Sequence, residues 1–381
     1  MAFLRSLSLA VILTLCAASA FAEQPILHRG INVAGWLANA RRQVFYQRDF
    51  EQIKKTGFDF VRLPVNPEFF GFTLDGQGMG DFTPVDQALE LIISNGLTVV
   101  LDIHPGKNFM RQLEVSRAAE ERFTELWMML AERYKNYPQE QLAFQLLNEP
   151  QYYHKSGLYN QFTARLVSRI RQIDSQRLLI VETPANASTH PVDLLRMVQI
   201  IDDPNIAYDV HYYQPYIFTH QGVKQGFEKK QIRHIGQLPY PSDHVVREDV
   251  VVAPDADKEE AQDEIDGYVK ESWNRGRIAA DFAPAAAWAK QNRVRLLVLE
   301  FGVMRNTVDE ASRYRWIGDV RSVLDSHNVG WALWDYTDLM GIVRMVGETG
   351  TYAGDGSVRF LKPEQGQRIV DAPVKDALGL Q

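Results

Sequence analysis

The stretch Leu142-Ala143-Phe144-Gln145-Leu146-Leu147-Asn148-Glu149-Pro150 is a mostly apolar run closed by an amide, a carboxylic acid and a proline. Arg295-Leu296-Leu297-Val298-Leu299-Glu300 repeats the pattern. Near-continuous apolar runs of this length, bounded by turn residues, read as strands buried on both faces. Working outward, similar runs lie at Arg29 to Val33, Phe58 to Leu63, Thr98 to Ile103, Leu178 to Val181, Ile206 to Val210 and Gly330 to Leu333. With Leu142 to Leu147 and Val294 to Leu299 they make eight. Amphipathic patterns fall between them, at Arg48 to Lys55, Pro84 to Asn95, Ser116 to Tyr137, Leu158 to Ile173, Val192 to Ile200, Ala283 to Gln291 and Ala311 to Ser326. Strands alternating with helices predict an α/β fold with a parallel sheet, and eight such units in one chain predict a single (β/α)8 TIM barrel. A doubly wound sheet would need a glycine-rich phosphate turn after its first strand, and Gly35-Trp36-Leu37 is not one. The longest interruption, Tyr212 to Asp281, follows the sixth strand and is expected to wall the open face of the barrel. Its acidic run from Asp255 to Asp266 reads as a solvated helix face.

Among 381 residues, 45% are apolar and 23% charged, which excludes a disordered or fibrous chain. Forty-one Lys and Arg against 48 Asp and Glu give a formal charge of -7, so no broad basic field exists to hold nucleic acid. Arg5, the apolar run Leu7 to Leu15 and Ala20-Phe21-Ala22 form the three parts of a cleavable signal peptide, residues 1–22, leaving 23–381 as the catalytic domain. Cleavage removes Cys16, the one cysteine, and with it any disulfide, thiolate nucleophile or cysteine-ligated metal. Leu15 stands where a lipoprotein has a small residue. A periplasmic or extracellular monomer is expected, with no membrane contact after cleavage, and Asn186-Ala187-Ser188 is expected to be a loop.

In a barrel, polar residues that close the strands project into one pocket. Here they are Arg62, Asp102, His104, Asn148, Glu149, His211, Tyr213, Glu300 and Trp334. A buried carboxylate without a partner is costly, so Glu149 and Glu300 call for a task. Carboxyl groups about 5 to 5.5 Å apart suit double-displacement glycoside hydrolysis, and a wider gap suits inversion. The spacing along the chain leaves both open. Pro150 biases Glu149 toward an extended backbone that continues the fourth strand. Asn148 is placed to donate to a sugar hydroxyl. Arg62 and Tyr213 suit a carboxylate kept ionised, whereas a proton shuttle needs a raised pKa. Asp102 is expected in a packing or helix-end role. His104 has no second histidine at zinc-like spacing, so neither a metal nor another cofactor is expected. Trp127, Trp288, Trp316 and Trp331 read as core. Trp36, Trp273 in the insertion and His220 are the candidates for outer sugar contacts, although His220 with Gln221 equally suits a loop closure.

The set Arg62-Leu63-Pro64, His104, Asn148-Glu149-Pro150, His211-x-Tyr213, Glu300-Phe301-Gly302 and Trp334 resembles glycoside hydrolase family 5, the cellulase-type retaining glycosidases. Arg29-Gly30-Ile31-Asn32 with Trp36 is similar to that family's first strand, and the stretch from His211 to Gln221 is similar to a bacterial subgroup of endoglucanases. The resemblance implies Glu149 as general acid/base and Glu300 as nucleophile. It implies Arg62, His104, Asn148, His211 and Tyr213 as the supporting shell, with Trp334 as the sugar platform and a cis bond after it. The implied substrate is a β-linked polysaccharide or oligosaccharide, first of all β-1,4-glucan cut internally. A β-1,3-glucanase, a mannanase, a transglycosylase, a non-catalytic carbohydrate-binding barrel and a metal-dependent barrel enzyme are the alternatives.

Overall fold

Alternate residues of each strand divide between two apolar environments, as the period of two requires. Phe60, Val100, Ala143, Ile180, Ala207, Leu297, Leu299 and Ala332 form one small cluster with Leu27 and Leu178. Their neighbours Val61, Val99, Phe144, Leu179, Tyr208, Val298 and Trp331 belong instead to the large cluster shared with the helices. The first cluster is the filling of a closed barrel and the second is the layer between barrel and helices.

The computed structural model describes residues 24–38, 43–152, 155–184, 190–223, 232–254, 256–345 and 368–380. The expected signal peptide, Asp255 and Asn186-Ala187-Ser188, expected as a loop, lie outside them. Eight parallel strands close the barrel: β1 Arg29–Asn32, β2 Phe60–Val65, β3 Thr98–Ile103, β4 Leu142–Gln145, β5 Leu179–Glu182, β6 Ile206–Tyr212, β7 Arg295–Phe301 and β8 Gly330–Leu333. Each pairs with its neighbours in sequence, and β8 pairs with β1. The (β/α)8 expectation is met. Gly30 lies beside Phe60 in register, and a Cβ there would come within 2.2 Å of the Phe60 ring, so the ring fills the space that a side chain at 30 would occupy.

The helices wrap the outside. The helix Gln47–Thr56 ends on Gly57, whose φ of 104° is the left-handed C-cap that glycine adopts without penalty. The helix before β7 runs Arg275–Asn292, beginning eight residues ahead of the expected Ala283. Pro284 sits within it, while the Asn274 side chain accepts from Arg277 N–H and starts the helix upstream. The insertion is correspondingly shorter, running from the end of β6 to residue 274. It contains the helix Lys258–Lys270, which exposes Glu259 and Glu260 and buries Ala261, Ile265 and Tyr268, the amphipathic face expected of the acidic run. Tyr240 straps the insertion to the helix Glu310–Ser326, its N–H donating to Ser312 Oγ at 3.0 Å and its hydroxyl to Asp319 at 2.9 Å. Among the described residues no helix is long and apolar enough to cross a membrane.

Candidate active site

Strict alternation along β7 from Leu297 would turn Glu300 away from the barrel axis, yet its carboxylate lies inside. The pairing explains this. Asp209 and His211 of β6 face Leu297 and Glu300, and Trp331 and Leu333 of β8 face Val298 and Phe301, so β7 carries one extra residue against both neighbours. This β-bulge makes Leu299 and Glu300 both point inward. The backbone groups that the bulge frees from the ladder are captured by side chains. Leu299 N–H donates to Asp209 Oδ1 at 2.8 Å, and Leu299 C=O accepts from Asn32 Nδ2 at 2.8 Å.

Arg62, fully buried, organises the layer above the apolar filling. Its guanidinium meets Gln145 Oε1 at 2.6 Å, Asn32 Oδ1 at 2.9 Å, Glu300 Oε1 at 2.6 Å, Asn148 Oδ1 at 2.8 Å and Asp102 Oδ2 at 2.9 Å. Five N–H groups thus meet five partners. Burial works against its charge, but Asp102, Glu300 and the acids behind them outweigh that and hold it protonated. Glu300 also accepts from Tyr213 Oη at 2.9 Å. That phenol stays a donor, because burial first and the Glu300 charge second push its pKa well above the ordinary value.

Asp102 does not take the packing role expected of it. It bridges Arg62 and His104 Nδ1, the latter at 3.0 Å. With Asn148 Oδ1 committed to Arg62, Asn148 Nδ2 faces His104 Nε2 at 3.2 Å. His104 therefore accepts at Nε2 and donates from Nδ1 to Asp102.

Glu149 departs from the extended conformation expected before Pro150. Strand β4 ends at Gln145 and Glu149 has φ 41°, in the left-handed region. The proline preference is local and weak, whereas Asn148 N–H is tied to Ile103 C=O at 2.9 Å and Glu149 Oε1 lies 3.1 Å from His211 Nδ1. Tertiary bonds set the turn. The same His211 nitrogen is 3.4 Å from Glu300 Oε2, and one oxygen of each glutamate lies within 4.8 Å of one of the other. Glu300 is 6% exposed and Glu149 33%, so one carboxylate is sealed and the other faces the mouth. Burial pushes the Glu149 pKa up, but the His211 hydrogen bond and the charges of His211 and Arg62 bring it below the ordinary value, the reverse of the raised pKa expected of a proton shuttle.

Trp334 is half-buried and stacks on His104 at 5.8 Å, and the Trp334-Asp335 bond is cis as expected. A Cβ on Gly302 would stand 2.3 Å from Trp334 O, which is why that position carries no side chain. The outer candidates separate. Trp36 is half-buried against Phe45 and Phe50. His220 is buried, stacked on Tyr216 at 4.3 Å and 5.1 Å from the Tyr213 ring, and burial pushes its pKa down to about 3. Trp273 is no rim residue. It is 2% exposed, donates to Glu271 at 2.6 Å and lies under the Arg277 guanidinium, so neither ring face is open to a sugar.

Asn32, Gln145, Glu182 and Asp209 were not singled out from the sequence as site residues. Each is the last or next-to-last inward position of its strand, and the parity of two along β1, β4, β5 and β6 is the signal that finds them. Among the described residues, two sets offer oxygen and nitrogen atoms within 4.8 Å of one another, Glu149-His211-Glu300 and Glu182-Asp209-His211. In the second, the Gln145 NH2 group donates to both carboxylates, which places a donor where a cation would bind.

A model of the cellulase family, glycosyl hydrolase family 5, matches residues 21–339. The chain belongs to glycosyl hydrolase family 5. It is an O-glycosyl hydrolase of the cellulase type. Endoglucanase C of Acetivibrio thermocellus is 30% identical over 328 residues, covering 81% of this chain and 90% of that protein. Endoglucanase 3 of Fibrobacter succinogenes is 24% identical over 83% of this chain and 50% of its own length. Among solved structures, the cellulose synthase subunit Z of Clostridioides difficile superposes with TM-score 0.70 and 25% identity, covering 93% of this chain and 99% of that one. Thermotoga maritima Cel5A, solved with cellobiose, superposes with TM-score 0.69 and 22% identity over 93% and 97% of the two chains, a likeness of fold.

Proposed function

We propose that this family 5 hydrolase is a retaining β-glucanase cutting internal β-1,4 linkages, with Glu300 as nucleophile and Glu149 as general acid/base. The observation that carries the reading is the approach of one oxygen of each carboxylate to within 4.8 Å of the other, with His211 Nδ1 between them, which suits the closer pairing of a double displacement. In the first step Glu300, held by Arg62 and Tyr213, attacks the anomeric carbon while Glu149 protonates the leaving oxygen. In the second, Glu149 deprotonates water, which displaces Glu300. Asn148, His104 and Trp334 line the reacting sugar. The 30% identical endoglucanase supports a β-glucan substrate and internal cleavage. Signal cleavage after Ala22 would deliver the 23–381 domain as a monomer to the periplasm or exterior, where polymeric glucan is accessible.

The test is Glu300→Ala with and without azide. The variant should fold and lose turnover by on the order of 10⁴-fold or more. Azide should then restore activity on an activated aryl β-glucoside, releasing a glycosyl azide of inverted configuration. Parental turnover in the variant would overturn the assignment. Product profiles on β-1,4-, β-1,3- and β-1,6-glucans and on mannan decide the linkage.

A further inference from the structure

Behind His211, on the side away from the substrate, lie two carboxylates that the reaction does not use. Glu182 ends β5 and is 1% exposed; Asp209 is fully buried in β6. His211 Nε2 is 3.4 Å from Glu182 Oε2 and 3.4 Å from Asp209 Oδ2, and has no hydrogen-bond partner of good geometry. The Gln145 amide cannot turn to relieve the crowding, because its oxygen accepts from Arg62 Nε at 2.6 Å. Its NH2 therefore donates to both acids, at 3.1 Å to Glu182 and 3.0 Å to Asp209.

Two carboxylates this close and this dry do not both ionise readily. The donors decide which one does. Asp209 accepts from Leu299 N–H at 2.8 Å as well as from Gln145, whereas Glu182 shares only the Gln145 group and His211. The anion belongs on Asp209 and the proton on Glu182.

We propose that Glu182 is a buried carboxylic acid beside an ionised Asp209, their oxygens within 4.8 Å, and that the single charge of this pair holds His211 as an imidazolium spanning Glu149 and Glu300. Glu182 is thereby a positioning residue for the acid/base, acting through His211. The proposal rests on the assignment of Glu149 above.

The charged groups around His211 agree. Glu149 from the end of β4, Glu182 of β5, Asp209 of its own strand and Glu300 of β7 all face the ring, and Arg62 of β2 is the cation that balances them from across the barrel. Tyr213 contributes a neutral phenol. Burial lifts the Glu182 pKa well above the carboxylate range, and Asp209 and Glu149 lift it further against the pull of His211 and Arg62. Burial lowers the His211 pKa, but the acidic groups facing the ring outweigh that and hold it well above the ordinary value.

The test joins spectroscopy to kinetics. Enzyme labelled with 15N-histidine, with His211 assigned by its loss from His211→Asn, should show both ring nitrogens protonated at pH 7. The infrared spectrum should carry a protonated-carboxyl C=O band that Glu182→Gln removes. Glu182→Ala should lower kcat at least tenfold with KM held within twofold, and Glu182→Gln, which keeps the shape of the protonated acid, should recover most of that loss without moving the alkaline limb of the kcat/KM profile. An unprotonated ring nitrogen at pH 7, an infrared spectrum unchanged by Glu182→Gln, or a limb displaced by that substitution overturns the proposal. The spectra do not depend on turnover, so they separate its failure from failure of the Glu149 and Glu300 assignment, which azide rescue reads.

Discussion

Leu299 N–H donates to the Asp209 carboxylate at 2.8 Å, and this bond joins the interior of the barrel to the direction in which Glu300 points. Asn32 takes the other end of the same peptide, so the bulged residue is gripped from β1 and β6 together. Replacing Asp209 by alanine leaves a buried N–H unpaired, at a cost of about 1–3 kcal/mol. Asp209→Ala should lower Tm accordingly and reduce kcat by about 10² through misplacement of Glu300. Thermal unfolding and initial rates check this; a stability loss with full turnover would separate the bulge from catalysis.

Arg62→Lys should be severely damaging although it keeps the charge. An ammonium has three donors on a flexible stem and cannot serve five partners held in the guanidinium plane. Loss of partners around a buried ion pair costs about 3–5 kcal/mol. Denaturant unfolding should show a loss of that order, and kcat should fall at least 10²-fold.

His211→Asn tests the electrostatics from the front. A cation beside a carboxylate favours its ionised form, so removing the His211 charge lets the Glu149 pKa rise from its depressed value. In the proposed mechanism the first step needs Glu149 protonated, so the alkaline limb of kcat/KM should move to higher pH while the maximal rate falls. A limb moving to lower pH would contradict the contact at 3.1 Å.

The two tryptophans should separate by readout. Trp334→Ala removes an open ring face beside His104 and should raise KM about tenfold, equivalent to about 1.4 kcal/mol of sugar stacking. Trp273→Ala opens a cavity and should destabilise the fold by about 3–5 kcal/mol with KM near the parental value. A KM effect at Trp273 would return it to the substrate rim.

The barrel was readable because eight apolar runs separated by amphipathic stretches admit few arrangements, and all nine of the named pocket residues lie where strand ends converge. What escaped lies in two physical gaps. Bulges shift the inward parity by one, and nothing in Arg295-Leu296-Leu297-Val298-Leu299-Glu300 marks the extra residue; Asp209 and Asn32, which stabilise it, are 90 and 267 positions away. The preference that Pro150 imposes on Glu149 was likewise outweighed by contacts to β3 and β6. Trp273 looked exposed because its sequence neighbours are charged, whereas Arg277 and Glu271 cover it. Glu182 was passed over because Leu179-Ile180-Val181-Glu182 reads as an ordinary buried strand until its neighbours across the barrel are known.

The apolar plug of Phe60, Val100, Ala143, Ile180, Ala207, Leu297 and Ala332 lies directly beneath this polar layer. It gives the polar layer a close-packed apolar floor. On the proposed double-displacement route, water for the second half of the cycle would therefore arrive from the side on which Glu149 is 33% exposed, and not up through the barrel.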